Sequence, residues 1–352
     1  MTFSFSKVLA SATVFLLTMT HVPLMAGSID KPRLYDDSDY NEYWEQQFLF
    51  DNGTMVTSQF LIANFPFSKQ HGLMVATLKK PGDDTVIVKN GRKRDGWNFE
   101  AAEPRLSIFQ HELSGSYPGY FVRLNNTAAE VDVLFTANEE AIPLIAADNA
   151  LGLPEMTLYA PTARAEGRWR AGPEIGGAGI EGEWEKIGTG TGYGLHVIQR
   201  TNLNHAIRRW QRFSATSYTG DYAPILHAFE TPNGEKKSIL LLLKSGDAPI
   251  RFDDLELTQS ASGTAWEVSA KAGDASLVGT LTTENNIEDF ELKDHLEQLV
   301  AGSLADISRR RFSTSYDLTL TIGSNSTNIL GNALAEDIIL GEEKKKKRRS
   351  RR

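Results

Sequence analysis

The chain has 352 residues, no cysteine and a formal net charge of −8. Without thiols it has no disulfide, no thiolate nucleophile and no zinc–thiolate centre, while 41% hydrophobic and 9% aromatic residues supply a sizeable core. Eight basic residues stand within Lys344–Arg352, so the remaining body is strongly acidic, which argues against nucleic-acid binding by that body because phosphate contacts dominate such affinity.

In chain order, Lys7 precedes an apolar run from Val8 to Met19, then Pro23 and Met25-Ala26-Gly27. That is the layout of a secretory signal peptide over 1–26, with an uncleaved anchor as the alternative, and it places the mature protein in the periplasm or outside the cell. From residue 33 to 165 short apolar runs alternate with turn residues such as Asp51-Asn52-Gly53 and Pro81-Gly82-Asp83. This spacing predicts an antiparallel β domain. Residues 166–182, with Gly172-Pro173 and Gly176-Gly177-Ala178-Gly179, read as a glycine-rich linker, since neither residue type suits a helix or a central strand.

A second β domain follows over 183–325, with turn signals at Pro232-Asn233-Gly234, Ser245-Gly246-Asp247 and Ala272-Gly273-Asp274. It opens on Gly188, Gly190, Gly192 and Gly194, which alternate with bulkier residues; this is a strand approached closely by another backbone or by a ligand. The spacing does not match a phosphate-binding loop. Between Phe290 and Ile307 the apolar period changes to helical, which predicts one late amphipathic helix. Residues 326–352 are expected to form a disordered basic tail, which could meet anionic lipid headgroups at about 1 kcal/mol per basic residue.

Two β modules on either side of a glycine-rich segment, an opening with Tyr43-Trp44, the Asp51-Asn52-Gly53 turn, a strand ending Asn64-Phe65-Pro66 and the run Gly190-Thr191-Gly192-Tyr193 together resemble the tandem lipocalin-like superfamily. That group includes carotenoid 1,2-hydratases (hydroxyneurosporene synthases), yeast survival-factor proteins and fungal decalin-forming cyclases. The resemblance spans about residues 33 to 325. It implies an all-β fold of two tandem antiparallel lipocalin-like barrels that hold apolar, lipid- or isoprenoid-like molecules, some members hydrating or cyclising them. In the hydratases the Gly-Tyr segment runs into an Asp-His-Asn-Trp-Gly type sequence; here only His196 stands at a comparable place.

Alkene protonation needs a carboxylic acid kept neutral, a basic partner and an apolar cavity. His196 with Asp221 or Tyr222 is the candidate catalytic set, alongside a structural alternative of a hydrogen-bonded histidine and a turn aspartate. Arg208-Arg209-Trp210-Gln211-Arg212, read as a strand, puts Arg208 and Arg212 on the side of Trp210. If that side is the lumen, those three residues and Tyr193 form the candidate ligand wall, placed in the second module beside the alternating glycines; if it is the surface, the arginines are ordinary solvated charges. His111-Glu112 lacks the second histidine of a zincin because Gly115 stands there, and His196, His205 and His227 are too scattered for a metal, so no metal or cofactor is expected. The leading reading is an exported protein that binds a hydrophobic small molecule; the alternative is a hydratase or cyclase using acid catalysis in the same cavity.

Overall fold

The computed structural model describes residues 29–65, 68–93, 95–173, 182–219, 222–253, 255–262, 264–291 and 307–340. The first module contains β1 (Asn41–Phe50), β2 (Met55–Phe65), β3 (Ser68–Lys79), β4 (Val86–Lys93), β5 (Trp97–Glu100), β6 (Arg105–Ile108), β7 (His111–Ser116), β8 (Gly119–Asn125), β9 (Ala129–Ala137), β10 (Ile142–Ile145), β11 (Glu155–Ala171) and β12 (Glu185–Gln199). One helical turn, α1 (Leu203–Ala206), capped by the Asn202 side chain accepting from Asn204 N at 3.0 Å, leads onward. The second module contains β13 (Arg209–Thr219), β14 (Tyr222–Glu230), β15 (Lys236–Lys244), β16 (Ile250–Phe252), β17 (Leu255–Gln259), β18 (Ala265–Ala272), β19 (Ala275–Glu291), β20 (Ile307–Ile322) and β21 (Asn325–Leu340).

The chain is therefore all-β, as two tandem antiparallel barrels, and both follow one plan. The first strand of each module pairs with the second on one side and with the module's last strand on the other: β1 lies between β2 and β12, and β13 lies between β14 and β21. The hairpin turns fall where glycine allows a left-handed backbone; Gly53 at φ +80, for example, donates its N–H to Phe50 O at 2.8 Å.

This plan moves the expected boundaries. Part of the segment 166–182 expected as a linker is strand, since β11 runs in register to Ala171 beside β9, and Glu185–Gln199 belongs to the first sheet between β1 and β11. The modules meet at Arg200–Arg208, around α1. Likewise, the tail expected from residue 326 is strand as far as Leu340, because Ile329, Ala333, Ile338 and Leu340 are buried in β21 while the strand pairs on both sides. The ends of the expected late helix, Phe290 and Ile307, are in β19 and β20; its body, 292–306, lies outside the described residues, as do the signal segment 1–26, the spacer 174–181 and the basic end 341–352.

Pairing also explains the glycines. Phe48 stands opposite Gly192 and Gln46 opposite Gly194. A Cβ on Gly192 would collide with Gln47 O and the Phe48 ring, one on Gly194 with the Tyr159 ring, and one on Gly190 with the backbone at Leu49 and Phe50. The space left by the missing side chains is filled by these rings and by the β1 backbone. The first core centres on Trp44, Phe48, Phe60, Tyr120 and Phe135, with Tyr120 and Phe135 stacked at 5.1 Å; each such ring contributes on the order of 2–3 kcal/mol by burial. The second core is more aliphatic, built around Leu240, Leu242, Leu277, Leu318 and Leu320, and it continues into residues of the first module such as Tyr43, Tyr193 and Leu195.

Candidate functional site

Successive residues of a strand point to opposite faces, and β1 is buried on both: Trp44 and Phe48 join the first core, whereas Tyr43 joins the cluster shared with the second module. Between the two modules lies a cavity of about 280 Å³. On the first module it is walled by Tyr43, Leu61, Leu73 and Val75 from β1 to β3, and on the second by Trp210, Ile338 and Leu340 from β13 and β21. Asn202, which caps α1, and Asn204 within it also line the cavity. A second hollow of about 360 Å³ lies on the first module, where Lys80 lies 3.6 Å over the Trp169 ring and 3.3 Å from Glu185. Its salt-bridged surface lining suits an apolar ligand less well.

Charged side chains form the polar end of the interdomain cavity. Glu45, Arg212 and Arg309 line it, and behind them Glu336, Arg311 and Glu288 complete a buried cluster. Arg212 Nη2 is 2.8 Å from Glu45 Oε1 and also pairs with Glu336, while its guanidinium lies 4.8 Å from the Trp210 ring centre. Arg311 Nε donates to Glu336 Oε1 at 2.5 Å and its Nη1 pairs with Glu288. Burial alone would raise the Glu336 carboxyl, but the Arg212, Arg311 and Arg309 cations overcome it and hold the group well below the usual carboxylate range. For Arg212 burial opposes the charge, yet Glu336 and Glu45 keep its pKa above the ordinary arginine value. Burial and the neighbouring Arg311 cation bring Arg309 down to about 10. The registers Arg212↔Glu336 and Arg311↔Glu336 put these groups on one face of three adjacent strands.

The sequence-derived candidates divide between places. Trp210 and Arg212 line the cavity. Tyr193 is buried in the core cluster that also contains Trp210, and burial pushes its hydroxyl well above the ordinary tyrosine value. Arg208 is exposed and paired with Glu230 at 2.7 Å. His196 is not joined to Tyr222: its Nε2 lies 2.8 Å from Glu42 Oε1 and its ring stacks on Trp44 at 4.6 Å, both in the first sheet. Tyr222 is in β14, opposite Lys244. Asp221 lies outside the described residues.

Sequence reasoning missed Glu42. Its Oε2 accepts from the Tyr40 hydroxyl at 2.5 Å and the Arg33 N–H at 2.8 Å, so together with His196 it is enclosed by three polar partners. The available signal was a carboxylate at an even position of β1, on the face of Trp44 and Phe48. Glu45 and Glu336 were missed as well, because their partner Arg212 is remote from both in sequence.

No protein-family model and no curated protein sequence matches the chain. Several solved structures share its fold. CghA in complex with Sch210972 superposes with a TM-score of 0.60 at 10% identity, covering 90% of this chain and 95% of that one. A Nitrosomonas europaea protein named as an AttH gives 0.55 at 11% identity, covering 90% and 98%. Kievitone hydratase from Nectria haematococca gives 0.53 at 12% identity, covering 92% and 95%. The chain thus shares the fold of these structures along most of its length.

Proposed function

We propose that this is an exported protein that binds a hydrophobic small molecule, lipid- or isoprenoid-like, between its two barrels. The observation that carries the reading is the interdomain cavity, whose apolar lining of Leu61, Leu73, Val75, Trp210, Ile338 and Leu340 is accompanied by polar side chains that include Glu45, Arg212 and Arg309. Small-molecule sites characteristically combine a mostly apolar wall with a few fixed polar groups and often occur at domain interfaces. Binding of N-phenyl-1-naphthylamine, a neutral fluorescent probe, tests it. The probe should bind one site per chain, and Val75→Trp, which fills the cavity, should weaken binding at least tenfold in a folded protein. Unchanged affinity in that variant rejects this cavity.

A second reading is a hydratase or cyclase in the same cavity. It draws on the fold shared with CghA and kievitone hydratase and on Glu45 and Tyr43 lining the wall. Acid catalysis needs a protonated donor, whereas Glu45 is salt-bridged to Arg212, and for that reason binding is the primary reading. Incubation with polyenes in oxygen-18 water, followed by mass spectrometry, distinguishes the two: label gained by the polyene supports hydration, and an isomer of unchanged mass supports cyclisation.

A further inference from the structure

Tyr43 carries a hydroxyl that the fold leaves unused. The residue is 6% exposed in β1, and no group among the described residues hydrogen-bonds its oxygen. Unlike the sealed nitrogens of Arg212, that oxygen keeps accessible surface, and the open space that Tyr43 borders is the interdomain cavity. Burial, aided by Glu45, holds the hydroxyl above the ordinary tyrosine value, so it remains a proton donor in neutral and mildly basic solution.

Gln59 repeats the arrangement on β2. It is half-buried, lines the same cavity and spends its side-chain amide on no protein group among the described residues. The register sets Leu61 opposite Tyr43 and Gln59 opposite Glu45, which makes Tyr43 and Gln59 diagonal neighbours on one face of the strand pair. Diagonal neighbours stand roughly 7–8 Å apart, within reach of each other for aromatic and long side chains. A polar group taken from water without a partner costs about 1–3 kcal/mol, and two of them beside one apolar cavity call for an oxygen from its occupant.

The charged residues of the lining are already engaged: Arg212 pairs with Glu45 and Glu336, and Arg309 lies 3.9 Å from Glu336. An anion beside Glu45 would add an unbalanced buried charge, which is costly. A hydroxyl or carbonyl oxygen accepts from Tyr43 without that cost.

Resting on the cavity as the binding site, we propose that the ligand is a neutral amphipathic alcohol or ketone whose oxygen accepts from the Tyr43 hydroxyl and is flanked by the Gln59 amide. Its hydrocarbon part lies along Leu61, Leu73, Val75, Ile338 and Leu340. At roughly 30 Å³ per water-sized group, the cavity of about 280 Å³ holds a compound of the size of 1-octanol.

The test is displacement of N-phenyl-1-naphthylamine from the full chain at pH 8 by 1-octanol, 2-octanone, octanoate and octane. Octane, the most hydrophobic, would win on apolar burial alone. The alcohol or the ketone should instead displace the probe at a concentration at least tenfold below octane, and the tighter of the two identifies the oxygen. Tyr43→Phe removes only the hydroxyl and should erase that advantage, while Gln59→Met should reduce it. An advantage that survives in both variants, or octane binding as tightly as the oxygen compounds to the natural protein, removes Tyr43 from recognition while keeping the cavity as the site. Tightest binding of octanoate overturns the neutral-oxygen assignment in favour of an anion site. Failure of the probe and all four compounds to bind would instead remove the cavity reading itself. The panel on the natural protein stands even if a variant does not fold.

Discussion

The two modules share a strand plan and differ in what they bury. The first fills its interior with rings, Trp44, Phe48, Phe60, Tyr120 and Phe135, and makes room for them with glycines on β12. The second fills its interior with aliphatic side chains and carries its buried charges, Arg212, Arg311 and Glu336, on the face of β13, β20 and β21 directed at the first. One closing strand is thus specialised for close approach and the other for ion pairing. A buried ion pair is weak as net stabilisation but costly to break, so the second device penalises any arrangement of the modules that parts Glu45 from Arg212.

The largest effect that can break this comparison comes from Arg311→Met. Arg311 is fully buried and holds both Glu288 and Glu336, so its loss strips the buried Glu288 of that cation and leaves Glu336 to Arg212 and Arg309, and should cost about 3–5 kcal/mol in urea unfolding. Next is Gly192→Ala in the first module. The new Cβ meets Gln47 O and the Phe48 ring, and because backbone yields little, the penalty should approach about 3 kcal/mol. A loss of only a few tenths would show that the β12 glycines are not set by packing.

Acid sharpens the comparison, because each module buries one histidine that is hard to protonate. Burial brings His111 in the first down to about 4, where Nδ1 accepts from Asn125 N at 2.9 Å. Burial, aided by the Arg212 cation, brings His227 in the second down to about 3, where Nδ1 accepts from Trp210 Nε1 at 3.2 Å. Both folded values lie below the unfolded value near 6.5, so the unfolded chain binds protons first and stability falls as pH drops below about 6.5. Between pH 7 and 5 each histidine should remove about 2 kcal/mol, and His111→Gln or His227→Gln should each lower the proton uptake on unfolding by about one. The smallest effect is expected at the end of the chain: truncation after Gly341 spares β21, whose last residue Leu340 donates its N–H to Arg208 O at 2.9 Å, and should change stability by under about 0.5 kcal/mol.

Local chemistry was legible in the sequence, and remote pairing was not. The turns at Gly53, Gly82, Gly234, Gly246 and Gly273 stand where their residues predicted, each with positive φ, because a turn is set by neighbouring residues. The partner of β12 could not be read from its alternating glycines, since a stretch without side chains at Gly188, Gly190, Gly192 and Gly194 shows no apolar face. In β21 the polar start Asn325-Ser326-Thr327-Asn328 and the acidic pair Glu336-Asp337 imitate a solvated tail; the arginines that neutralise them are at 209, 212, 310 and 311. For the site, Trp210 and Arg212 were identified from their alternation, but Glu45, the wall from β2 and β3, and the Glu42 partner of His196 belong to strands distant in sequence.

Placing each module's last strand beside its first also sets an order of events in time. Each barrel waits for its last strand: β1 meets β12 across the 154 residues between Glu42 and His196, and β13 meets β21 across the 128 between Arg209 and Asp337. Closing so long a loop costs entropy before any contact repays it, which makes such topologies slow to fold. Until the final strand arrives, β13 and β20 each present an unpaired edge to other chains. Both closures are accordingly stages of synthesis at which aggregation competes with folding, and a chain interrupted before β21 would carry the exposed edges of β13 and β20 permanently.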